Sequence, residues 1–151
     1  MSIAIRPATA SDASRLREIA AAAKASWGYD RALVGGWAAR IDVADGGRSS
    51  KEVHVAEVDR EVAGWTSVSA GDDRVWALDD LWVEPGSMGR GVGSALFSYA
   101  VELVRGRGGT RLEWEAEPNA IGFYERLGAT YVRDSEPSEW GRALPVLGIH
   151  L

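Results

Sequence analysis

The chain has 151 residues, enough for one domain, and with 46% hydrophobic and 26% charged residues it is composed like a soluble globular protein rather than a disordered, collagenous or coiled-coil one. A net charge of -5 supplies no broad cationic surface for phosphate backbones or anionic lipid, so neither nucleic acid nor a membrane is an expected partner. The lack of cysteine excludes disulfides, thiolate nucleophiles, iron–sulfur clusters and cysteine-bound zinc, and two histidines, His54 and His150, leave almost nothing from which to build a metal centre.

The opening residues Met1-Ser2-Ile3-Ala4-Ile5-Arg6-Pro7 carry no charged leader followed by an apolar run. No later segment reaches the ~20 apolar residues that span a bilayer, so the expected location is cytoplasmic. Ile3 and Ile5 alternate along a short first strand before Pro7. Thr9 with Asp12 forms a Ser/Thr-x-x-acid capping pattern, and Leu16, Ile19, Ala20 and Ala23 recur at helical spacing, which predicts a helix over about residues 10–26. Asp30 can cap a second helix to about residue 41, in which Gly35-Gly36 costs roughly 1 kcal/mol per glycine relative to alanine and predicts a kinked or mobile element.

Val53, Val55 and Val58, then Val62, Trp65 and Val68, make two β-rich runs around Asp59-Arg60, read as an antiparallel hairpin, and a third strand follows over about residues 74–83. The glycine-rich residues 86–93 lead into Val92, Leu96, Tyr99 and Leu103, one face of a helix that stops at the glycines near 106–109. Residues 111–115 make a strand, 119–127 a short helix stopped by Gly128, and 131–133 and 144–151 the last strands. The order β-α-α-β-β-β-α-β-α-β-β predicts a single α/β (α+β) domain over residues 1–151, with a mixed, mostly antiparallel central sheet of six to seven strands and about four helices.

In Gly89-Arg90-Gly91-Val92-Gly93-Ser94, glycines on alternate positions let backbone amides point into one concavity at a helix start, where the helix dipole adds partial positive charge. This is a cradle for phosphate or pyrophosphate with Arg90 as an added cation, or else a plain flexible loop. A Walker loop is excluded, because no lysine follows Lys51. The dinucleotide fingerprint is approximated by Gly89-x-Gly91-x-x-Ser94, with Glu113 about 20 residues further on, but the loop follows an antiparallel meander rather than opening a β-α-β unit. An NAD site is the weaker alternative.

The second segment, Pro118-Asn119-Ala120-Ile121-Gly122-Phe123-Tyr124-Glu125-Arg126-Leu127-Gly128-Ala129, resolves the ambiguity. With the glycine loop it resembles the GCN5-related N-acetyltransferase (GNAT) superfamily, whose members carry an Arg/Gln-x-x-Gly-x-Gly/Ala coenzyme A loop and a later Asn-Ala-x-x-x-Tyr-Glu-Arg/Lys-Leu-Gly helix. Leu78-Asp79-Asp80-Leu81-Trp82-Val83-Glu84-Pro85 is similar to that family's fourth strand, so the resemblance covers the whole chain and implies a GNAT-like acyl-CoA N-acyltransferase fold. Met88 stands where the family usually has arginine or glutamine, which removes a side-chain contact but not the amide cradle.

The resemblance implies an enzyme that moves the acetyl group of acetyl-CoA directly to an amine without an acyl-enzyme, a route that needs no cysteine. It places Leu81, Trp82 and Val83 at the acetyl carbonyl and pantetheine, Met88, Gly89, Arg90, Gly91, Val92, Gly93 and Ser94 at the pyrophosphate, and Asn119 at the pantetheine arm. Tyr124 matches the tyrosine often assigned as general acid, and a phenol on a helix facing the cleft can protonate sulfur; otherwise it is a core aromatic beside Phe123. For the base, Asp79 and Asp80 are adjacent on a strand and so should face opposite sides. Asp79 occupies the place where several relatives carry a strand-four glutamate, whereas Asp80 should share a face with Trp76, Leu78 and Trp82; the alternative is that both merely flank the strand's polar side.

Glu113, Glu115 and Glu117 fall on one face by period two, and with Asp79 they either give the acceptor side a negative potential suited to a cationic amine or form a solvated strand face. Trp27, Tyr29 and Trp37 lie in the two-helix region that covers the acceptor in this family, as an apolar wall, a cation–π contact or ordinary core. Residues 135–142, with Trp140, make a candidate lid, and His54 and His150 read as structural. The expected acceptor is a small-molecule amine, with peptide or protein N-termini second, and a homodimer is compatible. A catalytically silent acyl-CoA binding or sensing module is the rival, encouraged by Met88 and the missing strand-four glutamate.

Overall fold

The computed structural model describes residues 2–44, 49–137 and 141–151. Seven strands form one sheet: β1 (Ile3–Pro7), β2 (Glu52–Val58), β3 (Glu61–Ala70), β4 (Val75–Val83), β5 (Arg111–Glu115), β6 (Thr130–Asp134) and β7 (Pro145–His150), in the spatial order β1-β2-β3-β4-β5-β7-β6. Among the described residues four α-helices accompany it: α1 (Ala13–Ala25), α2 (Arg31–Ala39), α3 (Val92–Gly106) and α4 (Ile121–Arg126). Every strand pair is antiparallel except β4 with β5. This is the mixed, mostly antiparallel sheet expected.

Local chemistry accounts for most boundaries. Pro7 can close β1 because β1 is the edge strand, where a missing N–H breaks little of the ladder. Asp59 and Arg60 take φ of 51° and 70°, the left-handed pair whose twist matches a two-residue hairpin between β2 and β3. Thr9 and Asp12 form a capping box around a 3-10 turn (Ala10–Asp12), so α1 starts three residues later than the apolar periodicity predicts. The Asp30 carboxylate accepts from the amides of Ala32 and Leu33 at 3.0 and 3.1 Å, and α2 runs unbroken through Gly35-Gly36 rather than kinking there.

The apolar stripe of α1 packs with α2 on one face of the sheet, where Leu16, Ile19, Val55 and Trp65 are fully buried and the Trp65 indole donates to the Leu16 carbonyl at 2.8 Å. On the other face α3 buries Val92, Leu96, Phe97, Ala100 and Val104, with Tyr124 of α4 in the same core as Phe97. At Gly64 a Cβ would meet the Trp82 carbonyl at 2.9 Å and Leu96 at 3.0 Å, so glycine is what lets the first turns of α3 sit directly on the sheet.

Two irregularities shape the centre. β4 pairs with β5 only from Val75 to Ala77 against Arg111 to Glu113; beyond that the parallel strands part and leave a notch in the sheet. Between β3 and β4 the register slips, with Ser67 opposite Asp80 and Val68 opposite Leu78, so Asp79 is an extra residue in β4.

Candidate active site

Where β4 and β5 part, a cavity of about 630 Å3 opens. The last residues of β4 form one side of it, the loop into α3 another, and Trp114, Asn119 and Tyr124 the third. A second cavity of about 500 Å3 adjoins it, sharing Leu78, Asp79, Trp114 and Glu115. Both volumes lie in the range of small-molecule sites. Among the described residues no cluster of His, Cys, Asp and Glu could hold a metal ion, and no helix is long and apolar enough to cross a membrane.

Of the residues expected at the site, Asp79, Leu81, Trp82, Val83, Met88, Gly89, Gly91, Gly93, Ser94, Asn119 and Tyr124 all line the larger cavity. Arg90 and Val92 do not. Arg90 is exposed, and the Val92 side chain is 1% exposed in the core beside Leu96 and Ala56, so Val92 offers the loop only its amide. Gly89 and Gly91 adopt φ of +79° and +84°, and a Cβ on either would meet nothing within 4 Å, so the left-handed backbone rather than crowding demands glycine. Gly91 sits at the N-cap of the fifteen-residue α3, whose first amides have no helical partner and carry the positive end of the dipole. Gly93 is different: its Cβ would lie 3.2 Å from the Phe123 ring, so it lets α4 approach α3. Free amides at a helix N-terminus entered through left-handed glycines are a backbone arrangement that can accept an anion.

The two aspartates do not face opposite ways. Asp79 accepts from the Ser69 hydroxyl at 2.6 Å and Asp80 from the Ser67 hydroxyl at 2.5 Å; Ser67 and Ser69, two apart on β3, share a face, so both carboxylates lie on that face. The extra residue in β4 also breaks the alternation beyond it, so Leu78 packs with Phe97 against α3 while Trp82 packs with Trp65 on the α1 side. Asp80 therefore does not share a face with Leu78. It is 7% exposed and holds Lys51 Nζ at 3.0 Å, whereas Asp79 is exposed and borders both cavities. The protein around Asp79 removes enough water to push its pKa up, with the Ser69 hydrogen bond opposing.

Tyr124 is 7% exposed, packed among Phe97, Trp114 and Phe123 with ring centroids 5.0–5.9 Å away, yet it lines the cavity. Burial pushes its phenol pKa well above the ordinary value, so the side chain keeps its proton. It is thus a core aromatic that also borders the cavity with a protonated phenol.

The three glutamates separate. Glu113 is held by Arg111 at 2.7 Å and Arg133 at 3.0 Å. Glu115 is exposed and lines both cavities. Glu117 lies beyond β5 and accepts from Lys24 Nζ at 3.1 Å, the Tyr29 hydroxyl at 2.8 Å and Asn119 Nδ2 at 2.7 Å. Burial raises the Glu117 pKa, but these donors outweigh it and hold the carboxyl below its ordinary value.

Sequence reasoning passed over this Lys24–Tyr29–Glu117 cluster, although a lysine four residues after Ala20 in the apolar stripe of α1 is a usable signal. Trp27 lines the cavity; Trp37 instead packs edge-on to Trp82 at 5.1 Å, and Tyr29 is bridged to Arg142 as well as Glu117. Of the expected lid over residues 135–142, residues 138–140, with Trp140, lie outside the described residues, while Arg142 donates to the Tyr29 hydroxyl. His54 is buried against Tyr99 at 4.7 Å, where burial lowers its pKa, and His150 Nε2 lies 3.0 Å from Arg111.

Comparison with known proteins gives a consistent picture. Residues 16–129 match the family model described as the Acetyltransferase (GNAT) family. The chain is 28% identical over 109 residues, 68% of its length, to 74% of the peptidyl-lysine N-acetyltransferase YjaB of Salmonella typhimurium. Its fold superposes with a TM-score of 0.81 on the PaiA N-acetyltransferase from Thermoplasma acidophilum in complex with coenzyme A, over 100% of both chains at 17% identity. The same score is reached with a GCN5-related N-acetyltransferase from Rhodopseudomonas palustris, over 100% of this chain and 97% of that one at 25% identity.

Proposed function

The chain belongs to the GNAT acetyltransferase family and is an acetyl-CoA-dependent N-acetyltransferase, and from that premise we propose that its acceptor is the primary amine of a small cationic molecule. The observation that carries this reading is a difference among the carboxylates. Asp80, Glu113 and Glu117 each hold a lysine or arginine, while Asp79 and Glu115, on the wall shared by the two cavities, hold none among the described residues. Two carboxylates that hold no ion pair among the described residues give a cleft a charge that attracts a cation. A smaller cavity of about 500 Å3 suits a small molecule.

Acetyl-CoA supplies an activated acetyl thioester. In the proposed arrangement the amides of residues 89–94 receive its pyrophosphate and the backbone of Leu81, Trp82 and Val83 lines up the pantetheine, with Met88 and Asn119 beside it. Tyr124, kept neutral by burial, donates its hydroxyl proton to the departing sulfur. Asp79 accepts the proton of the incoming ammonium, through a water where the short side chain does not reach. Catalysis then rests on positioning and proton transfer by groups already in place.

A second reading, a lysine side chain within a peptide, is favoured by the similarity to the Salmonella peptidyl-lysine enzyme. Comparing kcat/KM for free diamines and amino sugars with that for lysine-containing and free-N-terminus peptides tests the choice. The highest value should fall to a small cationic amine; a peptide ahead of all of them by tenfold or more overturns that acceptor class.

A further inference from the structure

Glu117 joins two parts of the site that have no contact in sequence. Its Oε2 accepts from Lys24 and Tyr29, beside the end of α1, and its Oε1 accepts from Asn119 Nδ2, in the 3-10 turn that leads into α4. Lys24 is 5% exposed and its ammonium lies 4.2 Å from the Tyr29 ring centroid, so the end of α1 is closely packed here. An ionised carboxylate has no proton to give and can only accept. Asn119 must therefore turn its NH2 toward Glu117, which leaves Oδ1, without a partner among the described residues, for the cavity that Asn119 lines.

We propose that Glu117 is a positioning residue that fixes the hydrogen-bond polarity of Asn119, so that the cavity is offered a carbonyl acceptor for an amide N–H of the pantetheine arm. The proposal rests on the reading of the cavity as an acetyl-CoA site. Its consequence is an inversion. In Glu117→Gln the new amide must keep its oxygen on the two donors Lys24 and Tyr29, so its NH2 faces Asn119; Asn119 then flips and shows the cavity an NH2 instead of an oxygen. In Asn119→Asp two carboxylates meet at hydrogen-bond distance and the aspartate is driven away. The double change restores the pattern, because the aspartate accepts from the new NH2 with one oxygen and presents the other to the cavity.

Calorimetric titration of coenzyme A into wild type, Glu117→Gln, Asn119→Asp and the double variant tests this, with adenosine 3′,5′-bisphosphate, which lacks the pantetheine amides, as the control ligand. Each single variant should bind coenzyme A about tenfold more weakly, the double variant should recover to within about threefold of wild type, and the control ligand should bind all four alike. An unchanged coenzyme A affinity in Glu117→Gln, a double variant no better than the singles, or equal losses for both ligands overturns the proposal. If Glu117→Gln does not fold, Asn119→Asp, at an exposed residue, still decides: undiminished coenzyme A binding contradicts the polarity argument. Failure of wild type to bind coenzyme A at all would instead overturn the reading of the cavity.

Discussion

Tyr124 and Asp79, proposed for opposite proton-transfer tasks, both have raised pKa values, the phenol through burial and the exposed carboxylate through the water that neighbouring protein displaces. The phenol, raised well above its ordinary pKa, stays protonated over the whole working range, so removing its hydroxyl removes a donor and nothing else. Tyr124→Phe is expected to lower kcat by ~100- to 10,000-fold with little change in the KM for acetyl-CoA, measured by thiol release. For Asp79 the sign is the reverse of a salt-bridged carboxylate: the native state binds its proton more tightly than the unfolded chain, so stability falls as pH rises through the folded pKa. Asp79→Asn should therefore melt no lower than wild type at pH 7 while flattening the acidic limb of the rate profile; a clear drop in melting temperature would assign Asp79 to structure. The residue types at this site were legible in the sequence, but their facing was not. Period-two alternation fails at Asp79 because one extra residue enters β4, and a register slip depends on how β3 pairs rather than on any local pattern. Glu117 was legible only as a carboxylate, because two of its three partners come from residues 24 and 29, about 90 positions away.

At the scale of elements, the signals that worked were those with a local mechanism. The capping box at Thr9 and Asp12, the Asp30 cap and the left-handed Asp59-Arg60 turn each act within four residues, and each appears in the structure. Asp12 does more than cap. It accepts from Arg6 of β1 at 2.8 and 3.0 Å as well as from the Thr9 amide at 2.8 Å, tying the first strand to the start of α1. The Arg6 guanidinium, followed by the Thr9 amide, lowers the Asp12 pKa from 3.8 to about 2 despite burial. A depressed carboxylate stabilises the fold above its unfolded pKa and loses that contribution as pH falls through the folded value. Asp12→Asn is expected to cost about 1–2 kcal/mol at pH 7, a figure reduced by solvent around the partly exposed Arg6, with the two unfolding curves converging toward pH 2. A gap that stays constant down to pH 2 would show that packing, not the ion pair, carries the effect. The second helix is the element where propensity misled: two glycines predict a kinked or mobile element, but with the Asp30 cap and the burial of Val34 and Ala38 α2 is continuous from Arg31 to Ala39.

For the molecule as a whole, element order was enough to give the sheet class, because alternation of apolar positions decides which faces are covered. The notch between β4 and β5 was not readable, since nothing in Leu78 to Val83 or in Arg111 to Glu115 says that the two strands pair over three residues and then part. Yet that parting opens the space lined by the loop into α3, the end of β4, Tyr124, Asp79 and Glu115, which is the site proposed for the reaction. The measurement that tests this most directly is a crystal structure of the protein with coenzyme A. The pyrophosphate should lie on the amides of residues 89–94, the pantetheine should run through the β4–β5 notch, and its sulfur should come within hydrogen-bond reach of the Tyr124 hydroxyl. A pyrophosphate bound elsewhere, or a sulfur remote from Tyr124, would contradict the account.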